Sequence, residues 1–416
     1  MRYSVFSLAR AALTGHKSWP QAWRDHALRD RYQVIVVGGG GHGLATAYYL
    51  ARNHNITDVL VLERGYIGGG NVGRNTTIIR SNYMLPGNEP FYEHSLKLWE
   101  SLAQDLNFNM MVSQRGVLNL YHSDSQRDAF ARRGNAMRLA GVDAELLDVD
   151  GVRKYAPLLD FDNARFPIHG GLLQPRGGTV RHDAVAWGYA RAADRLGVHI
   201  AQNCEVTGLV IEGGRVAGVE TPRGRILADK VGLAVAGNTS LVAQMAGIDL
   251  PIETHLLTAF VSEGLKPFID GVVTFGAGHF YLSQSDKGGL VFGGDLDGYN
   301  SYSQRGGISE IDHVLTAGIA MVPAMSRVRM LRHWSGRMDM TMDGSPIICT
   351  TPTENLFLNG GWCYGGFKAT PASGWCFAHT IAAGEPHPLN RAFTIERFRT
   401  GRVIDEKGAG PRPWLQ

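Results

Sequence analysis

The first clear pattern along the chain is YQVIVV, residues 32–37, an almost unbroken apolar run rich in Val and Ile. It is too short for a helix and predicts a parallel strand buried on both faces. GGGGHG follows, then LATAYYLARN with apolar residues at helical spacing, then DVLVLER, a second buried strand. That is one βαβ unit with glycines in its first turn. Residues 125–150 predict a helix and then a strand, AELLDVD. GGTVRHDAVAWGYARAADRLG predicts a loop entering an amphipathic helix, with Asp183 available near its N-terminus. The stretch from Cys204 to Gly237 alternates strand-like runs with EGG and PRG turns, a meander leading into a buried strand. LLTAFVSEG, HFYLSQS and GGLVFGGDL add strands between residues 250 and 300, and after Trp334 come a loop, the strand NLFLNGG and a helix.

This order predicts an α/β fold in which a Rossmann-like nucleotide domain receives an inserted antiparallel-sheet substrate domain. The nucleotide domain is discontinuous, at 32–85, 170–249 and 325–390, with the substrate domain at 86–169 and 250–324. An arm at 1–31 and a tail at 391–416 flank them; exposed Trp, Phe and Pro make both candidates for contact with another chain.

Composition narrows the function classes. With 44% apolar and 19% charged residues the 416-residue chain is globular, and a net charge of +3 gives no reason to expect nucleic acid or an acidic membrane as partner. No apolar run is long enough to span a bilayer. Cys204, Cys349, Cys363 and Cys376 have no metal spacing and suit a reducing compartment. The first 24 residues carry no acid, which fits a transit peptide or, more simply, a packing arm; Arg10 interrupts any secretory core, and a cytoplasmic location is the expectation.

Gly38, Gly40 and Gly43 have G-x-G-x-x-G spacing between the first strand and helix, and Glu63 ends the next strand twenty residues after Gly43. The glycines allow a tight turn, backbone approach to a pyrophosphate and close helix–strand packing, while the acid accepts from a ribose. VGLAVAGNTS and the closing MDGSPII…NLFLNGG…GGFKATPASG resemble segments of FAD enzymes of this architecture, which favours FAD over NAD and a glutathione-reductase-type domain. Arg64, Val206, Gly237, Gly361, Gly365, Gly366 and Lys368 complete the expected cofactor-binding set.

Lys368, in GGWCYGGFKATPASG, echoes a phosphate loop. Phe367 separates it from Gly366, however, and no Val- or Ile-rich strand leads straight into it, so an ATP role is not expected.

The runs TGHKSWPQAWR, GGGNVGRNTTIIRSNY, GGLLQPRGGTVRHDAVAWGYARAA and GGWCYGGFKATPASG carry a resemblance. From about Tyr32 to Pro388 the chain is similar to the glycine/D-amino-acid oxidase family of FAD enzymes, and within it to the β-subunit branch of heterotetrameric sarcosine oxidases. The resemblance implies demethylation of sarcosine (N-methylglycine) to glycine, with hydrogen peroxide and formaldehyde or methylenetetrahydrofolate. It implies α, γ and δ partner subunits, the α subunit carrying NAD and tetrahydrofolate. It also implies two flavins here, non-covalent FAD and covalent FMN. The stretch matching the cysteine that tethers FAD in single-chain relatives falls around Gly336, with no cysteine there.

Arg80 matches the arginine that pairs with the substrate carboxylate, a role a planar guanidinium suits; a surface arginine is the plainer alternative. A second arginine of single-chain relatives is replaced by Thr77. Lys368 matches a lysine beside the flavin that promotes reoxidation by oxygen. The FMN-linked histidine is expected at His182, with His169 as competitor and a simple capping role as the bland alternative. Tyr281, His279 and Asp295 fall on substrate-domain strands, where core packing competes with substrate contact. The rivals are a single-flavin dehydrogenase of the same fold acting on a D-amino acid, proline or an opine, and a non-catalytic scaffold.

Overall fold

A computed structural model describes residues 4–17, 21–162 and 165–406. The first sheet places Leu356–Gly360, Gly224–Leu233, Arg31–Val37, Val59–Leu62 and His199–Ala201 side by side and parallel, with Ile347–Thr350 antiparallel on one edge. The uninterrupted apolar run of Arg31–Val37 has its reason here. Val34 and Val36 pack against a helical layer, while Ile35 and Val37 face the core under the meander. The meander, Gly208–Glu212 and Arg215–Thr221, pairs with the first half of Gly224–Leu233, whose second half lies beside the central strand.

Helices Gly41–His54, His182–Arg195 and Thr370–Ala383 form the helical layer. The first and last approach so closely that a Cβ on Gly374 would lie 2.4 Å from that of Ala45. The small side chains thereby bring the two helix N-termini together, at the edge where the cofactor is expected.

The second sheet runs Met330–Thr341, Ile252–Gly264, Gly289–Leu296, Phe280–Gln284, Val272–Phe275, Val117–Tyr121, Gly170–Gln174, Glu145–Leu147. It is antiparallel except where Val272–Phe275 meets Val117–Tyr121. Helix Ile308–Met321 covers it through Val314, Ala317 and Met321, against Phe280 and Phe292. Two expected boundaries shift as a result. Gly170–Gln174 and Met330–Thr341, assigned from sequence to the nucleotide domain, pair in the second sheet. Local pattern marks each as a strand; only long-range pairing says which sheet receives it.

The tail departs from expectation as well. Phe393 is fully buried, and Arg397 forms a buried ion pair with Asp343 at 2.7 and 2.9 Å. Phe393, Arg397 and Ile404 therefore anchor the 391–406 segment on the body, while residues 399–403 stay exposed. Pro411, Pro413 and Trp414, part of the same expectation, lie outside the described residues. No helix among the described residues is long and apolar enough to cross a membrane.

Candidate active site

Gly38, Glu63, Gly237 and Gly361 each follow the carboxyl end of a parallel strand. Open α/β sheets bind their ligands along this edge. The fingerprint glycines divide the work as the spacing implies. Gly38 has φ +108°, and a Cβ there would sit 2.3 Å from the Ala234 carbonyl oxygen. A Cβ on Gly43 would sit 1.9 Å from the Gly38 oxygen, whereas one on Gly40 would meet nothing within 4 Å. The turn is thus closed on the protein side at Gly38 and Gly43 and open at Gly40, beside the N-terminus of helix Gly41–His54. Glu63 accepts from the Gly39 and Gly65 amides at 2.9 and 2.8 Å, which fixes its carboxylate with lone pairs left for a ribose. Arg64 beside it is exposed, and Val206 is buried near the strand end where Cys204 N–H donates to the Glu63 carbonyl at 2.9 Å.

The lysine loop differs from expectation in one respect. A fully buried strand, Leu356–Gly360, does lead into it, built from Leu and Phe instead of Val and Ile. Gly361 and Cys363 take left-handed conformations, φ +68° and +48°. Asp339 holds them: its carboxylate accepts from Gly361 N–H at 2.5 Å and its carbonyl from Cys363 N–H at 3.0 Å. His42, inside the fingerprint, meets Ser373 Oγ at 2.5 Å and packs on Trp362 at 4.4 Å, tying the phosphate turn to this loop. Burial lowers the His42 pKa to about 4, so the ring is neutral.

Lys368 is buried, donates to the Tyr364 carbonyl at 2.5 Å, and has its own carbonyl capped by Ser95 and Trp99 at 2.7 and 2.9 Å. Burial, and then neighbouring Arg80, push its pKa well below the ordinary lysine range. Arg80 donates to Asn82 and lies over Tyr83, which stacks on Tyr92 at 3.7 Å. Ser81 fixes the backbone beside it, its N–H donating to Gln174 at 2.9 Å and its hydroxyl to Glu93 at 2.7 Å. Among the described residues neither Arg80 nor Lys368 is ion-paired with a carboxylate. A half-buried guanidinium and a buried amine thus lie adjacent, with no carboxylate paired to either among the described residues.

Asp339 supports a pH prediction. Burial raises its pKa to about 6 from the usual 3.8. A raised folded pKa means stability is complete below the unfolded value and lost as pH rises through the folded one. Asp339→Asn is therefore expected to melt higher than the parent at pH 7 by an amount absent at pH 4, at most about 3 kcal/mol. Thermal melts of the apoprotein at the two pH values check this; a pH-independent difference would contradict it.

His182 opens helix His182–Arg195, and its Nδ1 is buried with no hydrogen-bond partner. Burial lowers its pKa, which favours the neutral imidazole. Arg181 is the N-cap residue, without a side-chain cap bond, while Asp183 in the first turn accepts from the Ala184 N–H at 2.8 Å and pairs with Arg181 at 2.6 and 2.7 Å. His169 is exposed.

Sequence reasoning singled out Arg64 but missed the cationic group it belongs to. Arg337, with Arg64 and Arg74 as the charges that lower its pKa after burial, donates to Asn238 at 3.2 Å, and Arg74 leaves Nε buried without a partner. None of the three is ion-paired among the described residues. Asn71 clasps the Arg337 backbone through its own amide and carbonyl. The 71–73 turn in turn touches the His182 helix. Arg74 and Arg337 lie 263 positions apart in the chain, so no spacing pattern joins them. Asp295, by contrast, pairs with His313 at 2.7 Å and His279 at 3.5 Å, and Tyr281 has its hydroxyl buried in the second sheet.

The profile of the family described as FAD dependent oxidoreductase (DAO) matches residues 33–380. The chain belongs to this family. As a DAO-family flavin oxidoreductase it is 70% identical over 415 residues, all of both chains, to sarcosine oxidase subunit beta of Rhizobium meliloti (strain 1021). It is 50% identical to the subunit of the same name from Rhodobacter capsulatus, over 98% of each chain. Among solved folds, L-proline dehydrogenase from P. horikoshii superposes with a TM-score of 0.84 at 26% identity, covering 90% of this chain and 99% of its own. Glycine oxidase from Geobacillus kaustophilus superposes at 0.80 and 20% identity, covering 89% of this chain and 99% of its own. The FAD-binding α/β fold expected from sequence is that of this DAO family.

Proposed function

We propose that this chain is the catalytic β subunit of a heterotetrameric sarcosine oxidase, taking sarcosine to glycine. The observation that carries the reading is the Arg80–Lys368 pair, a guanidinium and a buried amine without a carboxylate partner among the described residues, suited to a secondary amine that carries one carboxylate. Arg80 supplies a bidentate grip and Lys368 a point charge in a dry setting, where both act more strongly than in water. They would orient the N-methyl group and leave the amine unpaired with any protein acid. Tyr83, stacked on Tyr92, packs against the Arg80 guanidinium.

The residues fit FAD: Gly40 and the helix N-terminus for the pyrophosphate, Glu63 for the ribose, the Gly361–Gly366 loop as cover, and no cysteine tether. They also fit FMN, with neutral His182 as the attachment point and Arg74 and Arg337 for its phosphate. When bound, these flavins supply an acceptor for the two electrons and hydrogen leaving the C–N bond and a relay to oxygen. The products are then hydrogen peroxide and formaldehyde, or methylenetetrahydrofolate where a partner α subunit binds tetrahydrofolate. NAD on that subunit, and γ and δ subunits, belong to the same reading, as does a cytoplasmic setting.

The test is acid precipitation of the purified complex with peptide mass mapping. FMN mass on the peptide containing His182, with FAD released, is the expected result, and His182→Asn should abolish that adduct. An adduct at His169 would relocate the site. All flavin released as FAD would favour a single-flavin dehydrogenase, the activity of the proline enzyme sharing this fold.

A further inference from the structure

Helix Val5–Leu13 is turned inside out for a soluble protein. Its one buried residue is Ala11. Val5, Phe6 and Leu13 are 78, 87 and 89% exposed. With Ala9 and Ala12 they fall within an arc of about 120° on a helix of 3.6 residues per turn, on the side away from Ala11. The apolar stripe faces solvent.

The segment that follows is held firmly. Arg24 donates to Asp194 through its backbone N–H and Nε, at 3.1 Å each, and through Nη2 to the Asp194 carbonyl at 2.6 Å. His26 meets the same carboxylate at 3.0 Å and stacks on His199 at 4.0 Å. Asp194 ends the helix that His182 begins, so the clamp fixes where the arm leaves the body.

We infer that this helix docks, apolar side down, into a groove on a non-identical subunit of the complex. The inference rests on the β-subunit reading above. Three observations select that occupant. The helix lies outside the family profile, which begins at residue 33, yet within the full-length match to a protein named as a subunit. No Asp or Glu occurs before Asp25, while Arg10, His16, Lys17 and Arg24 are basic, which suits a groove with an apolar floor and an acidic rim. One nine-residue helix also buries far less than the roughly 1,200 Å² of a specific interface. It therefore serves as an arm on a chain docked elsewhere, not as a dimer contact of its own.

The experiment compares assembled complexes. The full chain, Phe6→Glu/Leu13→Glu and Ser7→Glu are each reconstituted with the other subunits, and assembly is followed by mass photometry across a dilution series. The double variant is expected to raise the concentration at which subunits part by at least about tenfold. Ser7→Glu, off the stripe, should leave it unchanged, and FAD content should be equal in all three. Equal dissociation of parent and double variant would overturn the docking role while leaving the sarcosine oxidase reading intact. A parent chain that assembles with no other subunit would overturn both. Stripe-dependent self-association, or flotation of the chain alone with anionic phospholipid vesicles, would assign the helix to a second copy or a membrane and refute the subunit groove.

Discussion

Arg80→Ala is expected to weaken binding of acetate, and kcat/KM for sarcosine, by about 100-fold, since a charge-assisted contact to a carboxylate is worth up to about 3 kcal/mol. Flavin content should not change. The pH dependence separates this from a structural defect. Lys368 has a depressed pKa from burial and from Arg80. A carboxylate binding beside it favours the ammonium, so acetate affinity is full where Lys368 is protonated and falls as pH rises through its pKa. Removing Arg80 removes one of the two causes of depression, so in Arg80→Ala the fall should move to higher pH. In Lys368→Met it should vanish, together with much of the affinity. Flavin absorbance titrations with acetate at a series of pH values read all three. If Lys368→Met binds acetate normally and instead slows only reoxidation by oxygen, the lysine acts on oxygen alone, as the family resemblance implies, and the shared carboxylate site is wrong.

The second large effect concerns two alanine substitutions three residues apart in the same turn. Gly43→Ala places a methyl 1.9 Å from a backbone carbonyl oxygen, with no flexible side chain to yield. It is expected to cost about 3 kcal/mol or more and to give chain without FAD. Gly40→Ala meets no protein atom within 4 Å. The apoprotein should melt within about 1 kcal/mol of the parent, as for a substitution away from packed groups, yet FAD should be lost because the methyl occupies the pyrophosphate's space. Melts of apoprotein and flavin titration of each variant check this. Normal FAD affinity in Gly40→Ala would mean the dinucleotide does not cross that turn.

How far the sequence carried the fold depends on how local each signal is. The strand 31–37, the helix behind it and the fingerprint were legible because chain neighbours make them: a both-faces-buried strand reads as continuous Val and Ile, and the three glycines lie within six residues. Sheet membership was not local. Gly170–Gln174 and Met330–Thr341 have ordinary strand patterns, and partners far along the chain assigned them to the second sheet. The anchors of the tail were hidden for the same reason, since Phe393 and Arg397 are indistinguishable from exposed residues until Asp343 and the helical core are placed against them.

The site divides along the same line. The sequence offered a glycine turn of dinucleotide type with an acid at the spacing of a ribose partner and, through the family resemblance, Arg80, Lys368 and His182 as candidates. Tertiary structure decided that Arg80 and Lys368 are neighbours across 288 positions and that Arg64 and Arg74 come close to Arg337, next to the 71–73 turn that touches the His182 helix. It also showed that Asp339 ties the lysine loop to the second sheet and that His42 ties it to the phosphate turn. Motifs record backbone conformations that a few adjacent residues must adopt. Charge clusters are made by chain segments that meet only when the two sheets fold, and their energy depends on burial, which a sequence does not state.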